Sequence, residues 1–317
     1  MIADAAVVGG GPAGAAAATT LARAGRQVVL LDKATFPRDK CCGDGLTAEA
    51  LRLLEQLGLD PADVASWQVV DDVVVRSPSG REVLLPLPRG MGTFAAVARR
   101  TDLDAALLDV ARKAGVEVCE GAAVVGAEAD AERVVLDVDG GDRVTAPYVV
   151  AADGMWSPTR RFLGAGEPGY RGEWHAFRQY FSDVGPRAAT ELFVWFEPDL
   201  LPGYAWSFPL PGGRANVGFG IARAELGRRS GTVERVQDMG RLWPDLLARP
   251  HIRSVLGPDA TPEDRHLAWP IPARIDGVAR WAGGGRVLFA GDAAAATDPL
   301  TGEGIGQALL TGVLAAE

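Results

Sequence analysis

The sequence predicts an α/β fold in which a Rossmann-like, dinucleotide-binding domain carries an inserted antiparallel β-sheet domain. Three observations predict it. A strand, a glycine-rich turn, a helix and a second strand follow one another at the N-terminus. Near the other end, a strand runs into Gly291-Asp292-Ala293 and then into a helix with glycines at its mouth. Between them lie short β-branched and aromatic runs broken by Pro- and Gly-rich turns, the pattern of a sheet.

Ala5–Val8 is a short apolar run suited to a buried parallel strand. Gly9-Gly10-Gly11-Pro12-Ala13-Gly14 follows, with GxGxxG at Gly9, Gly11 and Gly14. In such a turn Gly9 permits the tight bend, Gly11 lets backbone approach a pyrophosphate, and Gly14 lets helix and strand pack closely. The Ala-rich helix ends at Gly25, and its N-terminus offers free N–H groups to phosphate. Val28–Leu31 is the second strand, and Asp32, 18 residues past Gly14, is placed to accept hydrogen bonds from a ribose. Ala13 and Lys33, beside these groups, complete the candidate set at this end. Strand, turn, helix, strand and acid in one register make a dinucleotide site the expected reading. An unliganded unit does not explain three glycines where helix propensity favours alanine.

Thr101-Asp102-Leu103-Asp104 resembles a capping box with Asp in place of Glu, opening a helix to about Lys113 with Leu103, Leu107, Leu108 and Ala111 on one face. Val116–Cys119, Val134–Val138 and Tyr148–Ala151 read as strands, Cys119 as a core thiol, and Ser157-Pro158 as the N-cap and first turn of a short helix. Residues 174–208 hold ten of the 22 aromatics, counting 8 Trp, 4 Tyr and 10 Phe. Tyr204, Trp206 and Phe208 alternate with small residues, so in a strand they share one face about 7 Å apart. That face is either core or the wall of an apolar pocket; Trp and Tyr are poor choices for a sealed core, since each needs a polar partner. Ala215–Ile221 and Trp269–Ile275 read as further strands, with a helical stretch around Thr232–Leu247 between them. Arg286–Ala290 is a strand leading to Asp292, and Thr301–Gly306 opens the last helix. A second helix mouth that can receive an anion, with an acid after a strand, suits a long cofactor such as FAD.

Composition sets bounds. The chain has 317 residues, 48% apolar and 23% charged, an ordinary globular balance. A net charge of −9 with no basic run excludes a nucleic-acid partner; the nearest run, Arg228-Arg229, reads as a solvated helix end. Three cysteines make no disulfide framework, no His/Cys cluster suggests a metal, and a reducing, cytoplasmic setting fits. Residues 5–22 carry no charge but hold four Gly and a Pro, and so read neither as signal peptide nor as transmembrane segment.

The GxGxxG opening, Gly291–Ala293 and the turn Ala152-Asp153-Gly154 together resemble flavoproteins of the p-hydroxybenzoate-hydroxylase fold. Within them, Phe36–Leu46 (FPRDKCCGDGL) is similar to the PR-x-K-x-CG-x-G-L signature of the geranylgeranyl reductase family, and Tyr204–Pro209 matches its YxWxFP motif. The resemblance implies FAD held by Gly9, Gly11, Gly14 and Asp32 at its ADP end, Arg100 at the pyrophosphate, Asp153 near it, Asp292 at the ribityl chain, and Gly302, Gly304 and Ile305 near the flavin ring. It implies that Cys42, followed by Gly43, is the family cysteine, whereas Cys41 stands where relatives often have proline. It also implies further helices after the last one, where this sequence stops at Glu317; they would supply one wall of the substrate site.

The expected organisation is an FAD-binding domain made of 1–66, 95–165 and 276–317, with a substrate domain made of 67–94 and 166–275. The expected activity is reduction of isoprenoid C=C bonds of a prenyl chain, prenylated lipid or quinone, with NAD(P)H or another reductant as transient donor. Tyr204, Trp206, Phe208 and Trp195 are the expected pocket, with Cys42, Tyr204 and Trp206 at the chemistry. Cys42, Tyr204 or a water is the expected proton donor; Asp44 needs a raised pKa to serve. A lipid substrate implies peripheral membrane contact from the aqueous side. A flavin monooxygenase acting with NAD(P)H and O2 on an aromatic or polyketide-like substrate is the alternative, told apart by product mass. A non-catalytic flavin-binding or lipid-carrier protein is the third, and it applies only if the C-terminus is truncated.

Overall fold

The computed structural model describes residues 1–223 and 239–317. Its N-terminal sheet has six strands in the order Trp281–Ala282, Val287–Phe289, Tyr148–Ala151, Ala5–Val8, Val28–Leu31, Glu117–Cys119. All neighbours are parallel except the first pair. Both faces are covered, which is why these strands read as continuous apolar runs. Val7 and Leu30 pack under the helices Pro12–Arg23, Arg100–Lys113 and Ile305–Ala316. Ala6, Val8, Val29 and Leu31, one residue out of phase, pack on an antiparallel sheet of Val124–Ala129, Val134–Val138 and Arg143–Ala146.

A second, larger sheet runs in the order Thr261–Pro262, Trp174–Ser182, Arg214–Ala222, Tyr204–Leu210, Leu192–Trp195, Asp72–Arg76, Glu82–Pro86, with Leu267–Ile271 also paired to Trp174–Ser182. It departs from a purely antiparallel sheet at one place, the parallel pairing of Leu192–Trp195 with Asp72–Arg76. Its far face is sealed by the helices Met239–Ala248 and Pro250–Leu256, with Phe177, Phe193, Val217, Phe219 and Trp243 interleaved. A small sheet of Gly45–Leu46, Ala96–Val97 and Gln68–Val69 lies beside it.

Several sequence expectations shift. The helix starts at Arg100, and no side chain caps it, so Thr101–Asp104 is not a capping box. Asp104 lies one turn inside, where it binds arginines instead. The expected strand Trp269–Ile275 is Leu267–Ile271. The helical stretch predicted around Thr232–Leu247 is described only as Met239–Ala248; its first part, and Arg228-Arg229, lie outside the described residues. Ser157 does cap the helix Pro158–Phe162, its hydroxyl accepting from the Arg160 N–H at 3.1 Å. Among the described residues no helix is long and apolar enough to cross a membrane.

Candidate active site

The mouth of the glycine turn, the loop 38–48, one face of the larger sheet and the loop before the last helix enclose a cavity of about 810 Å³. That is at the upper end of the usual range for ligand sites, roughly 300–1,000 Å³.

At one end sits the glycine turn. Gly9 has φ +103°, and a Cβ there would lie 2.3 Å from the Ala152 carbonyl oxygen; a Cβ on Gly14 would lie 1.8 Å from the Gly9 carbonyl oxygen. The close strand–helix approach therefore excludes any side chain at either position. The N-cap of the helix Pro12–Arg23 is Gly11, which makes no side-chain cap, so the first N–H groups are open to a ligand as far as the described residues go. Over Gly11 hang two guanidinium groups, with Arg38 and Arg100 nitrogens 3.6 and 3.7 Å from where a Cβ would stand. The fully buried Asp104 holds both: its carboxylate accepts from Arg100 at 2.7 and 2.8 Å and lies 3.0 Å from Arg38. One carboxylate against two guanidiniums leaves positive charge over the glycine turn, where an anion can be received. Arg38 is a site residue that sequence reasoning did not single out, although it stands in the FPRDK stretch.

Asp32 accepts N–H bonds from Gly10 at 2.6 Å and Ala34 at 2.8 Å, which fixes its carboxylate at the cavity edge. Ala13, Lys33, Asp153, Gly302, Gly304 and Ile305 also line the cavity. Asp153 spends its carboxylate on the helix Pro158–Phe162, accepting from the Ser157 hydroxyl at 2.5 Å and the Thr159 N–H at 3.0 Å. Burial raises its pKa, against the pull of those donors. Asp292 reaches Lys40 at 3.5 Å, and the same ammonium lies 4.2 Å over the Trp269 ring. The last helix differs from the expectation of a second anion-receptive end. Glu303 fills that end, its carboxylate accepting from the Gly306 and Gln307 N–H groups at 2.5 and 3.3 Å.

At the other end stands the aromatic ladder. Tyr204, Trp206 and Phe208 line the cavity, with neighbouring ring centroids 6.0 Å apart. Cys42–Gly45 packs on it: a Cβ at Gly43 would meet Phe208 at 3.4 Å and Trp206 at 3.6 Å. The polar partner each aromatic needs is present. Tyr204 donates its hydroxyl proton to the Thr301 carbonyl, and Trp206 Nε1 donates to Asn216 Oδ1 at 3.1 Å. Burial raises the Tyr204 hydroxyl to about 12. Trp195 does not join this wall. It is paired in register with Ala205, so it faces the opposite side of the sheet, stacked on Phe193 at 5.4 Å under the helices.

All three cysteines are free. Cys42 lines the cavity, and its Sγ accepts from the Asp44 N–H at 3.4 Å. Burial pushes its thiol up, with the Arg100 guanidinium pulling the other way. Cys41, whose thiol burial raises to about 12, turns to the Leu267 carbonyl at 3.6 Å. Cys119 is partly buried against the core under the first sheet. Among the described residues no cluster of His, Cys, Asp or Glu could hold a metal ion.

The uncapped helix mouth, the paired arginines above Gly11 and the volume of the cavity fit FAD. Comparison with known proteins gives the same cofactor: residues 3–310 match the family model for an FAD binding domain. The menaquinone reductase of Mycobacterium tuberculosis is 36% identical over 342 residues, spanning 99% of this chain and 76% of that protein. Digeranylgeranylglycerophospholipid reductase 1 of Methanopyrus kandleri is 32% identical over 327 residues, spanning 99% and 79%. The crystal structure of a geranylgeranyl bacteriochlorophyll reductase-like protein from Thermoplasma acidophilum superposes with a TM-score of 0.80 at 22% identity, covering 99% of this chain and 77% of that one, which shows the shared fold. The chain belongs to the FAD-binding-domain family and is an FAD-dependent oxidoreductase of the geranylgeranyl reductase group.

Proposed function

We propose that this oxidoreductase saturates isoprenoid C=C bonds of a prenyl chain carried by a lipid or quinone, with NAD(P)H or another reductant as electron donor. The observation that carries the reading is the wall of Tyr204, Trp206 and Phe208 facing the Cys42–Gly43 loop inside one cavity. The names of the relatives, a menaquinone reductase and a digeranylgeranylglycerophospholipid reductase, support the same substrate class.

FAD, bound and reduced, supplies a hydride. An isolated alkene accepts hydride poorly, so the protein must hold it tightly and keep water out. Flat aromatic faces spaced along a strand suit a chain with no polar groups. Arg38, Arg100 and the helix mouth would hold the pyrophosphate, and Asp32 the ribose. Hydride on one carbon requires a proton on the other. The Tyr204 hydroxyl proton is committed to the Thr301 carbonyl, whereas Cys42, kept in its thiol form by burial, faces the cavity with its proton available. Cys42 is therefore the proposed proton donor.

The test is anaerobic incubation of the FAD-loaded, dithionite-reduced protein with prenyl lipids and prenylated quinones, read by mass spectrometry. A gain of two hydrogens supports the reading. A gain of one oxygen, under air with NADPH, would replace it by hydroxylation.

A further inference from the structure

Asp44 is fully buried, has φ +66° and belongs to the cavity wall itself, two residues from Cys42. Its Oδ2 accepts two hydrogen bonds, from the Tyr180 hydroxyl at 2.6 Å and from Asn216 Nδ2 at 2.8 Å. Its Oδ1 has no partner among the described residues. The two oxygens thus differ as the two oxygens of a neutral acid differ: one carbonyl-like and accepting, one bare. An ionised carboxylate here would leave a charged oxygen buried without a hydrogen bond, the costlier state. Burial accordingly raises the carboxyl to about 6, against the pull of Tyr180, Asn216, Arg178 and Arg100.

The surroundings are built to keep this group in place. The Tyr180 ring is clamped between the Arg99 and Arg178 guanidiniums at 4.1 and 4.2 Å, and Arg178 is anchored to Asp39 at 2.6 Å. Asn216 ties the carboxyl to both sides of the site. Its amide nitrogen also donates to the Cys42 carbonyl at 2.8 Å, and its oxygen accepts from Trp206. The backbone N–H of Asp44 itself donates to Cys42 Sγ. The charged and titratable groups facing the pair are therefore Arg99, Arg100, Arg178, Tyr180 and, across the cavity, Tyr204.

We propose that Asp44 is a positioning residue that stores a proton behind Cys42 and returns it to the sulfur after each turnover. The inference rests on the alkene-reductase reading, with Cys42 as donor. The S–H bond of Cys42 breaks as its proton joins the second alkene carbon, leaving a thiolate. A water entering the cavity then carries the proton: the O–H bond of Asp44 breaks toward the water, the water gives a proton to the sulfur, and S–H re-forms. This transfer runs from a weakly held to a strongly held proton, because the buried thiol is the more basic of the two. Water reprotonates the carboxylate when product leaves.

Asp44→Asn keeps an oxygen for Tyr180 and Asn216 and removes only the proton, so it isolates this role. Two readouts on the FAD-loaded protein decide. The first needs no turnover: an infrared titration of wild type should show a protonated-carboxyl band that disappears as pH rises through about 6 and is absent in Asp44→Asn. No such band at pH 5 would overturn the proposal. The second is turnover with a prenyl alkene. Wild-type kcat should fall as pH rises through that range, whereas Asp44→Asn should be slowed about a hundredfold, with KM and FAD content unchanged and no fall in that range. An Asp44→Asn enzyme with wild-type kcat and pH profile would overturn the proposal and leave alkene reduction standing. A wild type that gives no reduced product removes the reading beneath it.

Discussion

Asn216 is the residue whose loss should be felt most widely. It is fully buried and makes three hydrogen bonds: to the Cys42 carbonyl, to Asp44 and from Trp206. Replacing it by Ala leaves Asp44 Oδ2 with Tyr180, but strands the Trp206 N–H and the Cys42 carbonyl in a water-poor wall. Each stranded group costs about 1–3 kcal/mol, so the pair comes to about 4 kcal/mol. That is a large part of a typical total of about 5–15 kcal/mol. The assay is urea unfolding of the FAD-loaded variant beside wild type, with FAD content measured separately. FAD should stay bound, because none of the groups around Gly11 is altered. The prenyl KM should rise, because Trp206 loses the bond that fixes its ring. A loss of stability below about 1 kcal/mol, with KM unchanged, would refute the claim that Asn216 organises the wall.

Other outcomes follow from the same geometry. A Cβ at Gly218 would lie 2.4 Å from the Trp206 ring and 2.4 Å from the Phe177 carbonyl oxygen; Gly218→Ala should therefore destabilise by about 1–3 kcal/mol and raise the prenyl KM, checked by unfolding and steady-state kinetics. Arg100→Leu leaves Asp104 buried with Arg38 alone, and should lower stability by about 1.5–3 kcal/mol, the worth of hydrogen bonds to a charged group, together with FAD affinity, read by unfolding and by flavin release. Cys42→Ala should cut turnover with FAD retained, whereas Cys41→Ala should change little; equal small effects would make both cysteines structural. Trp195→Phe should leave turnover intact and cost about 1–3 kcal/mol through the gap left under the helices, with no hydrogen bond lost among the described residues. Because the Asp44 carboxyl sits at about 6 in the folded protein and near 4 in an unfolded chain, the folded state binds the extra proton in that window. Its contribution to stability should fall as pH rises through the window, and the difference between wild type and Asp44→Asn across pH should show that slope.

The parts of the fold that were legible in sequence are those set by local rules. The glycine turn was readable because each glycine answers a backbone contact, at Ala152 for Gly9 and at Gly9 itself for Gly14. The aromatic ladder was readable because alternation puts Tyr204, Trp206 and Phe208 on one face. Which face Trp195 takes was not, because a period of two says nothing about the partner strand; the pairing with Ala205 decides it. The supposed capping box failed for a similar reason. Asp104 has the right spacing for a cap but answers a call for charge from Arg38 and Arg100, which only the folded chain brings together. The strands Val124–Ala129 and Arg143–Ala146, the two edges of a small sheet, were missed because Gly and Ala dilute the pattern of the first and the second is only four residues long. Asn216 carried a signal that could have been used: one amide in the otherwise apolar run ANVGFGI, where a polar side chain persists only if something binds it.

The most direct test of the central claim is single-turnover oxidation of the dithionite-reduced, FAD-loaded protein by a prenylated quinone under anaerobic conditions, with flavin absorbance and product mass followed together. Alkene reduction predicts that the reduced flavin reoxidises as the prenyl chain gains two hydrogens, one product per flavin. Flavin that stays reduced beside an unchanged prenyl chain, or that passes its electrons to the quinone ring and leaves every prenyl double bond in place, would contradict it.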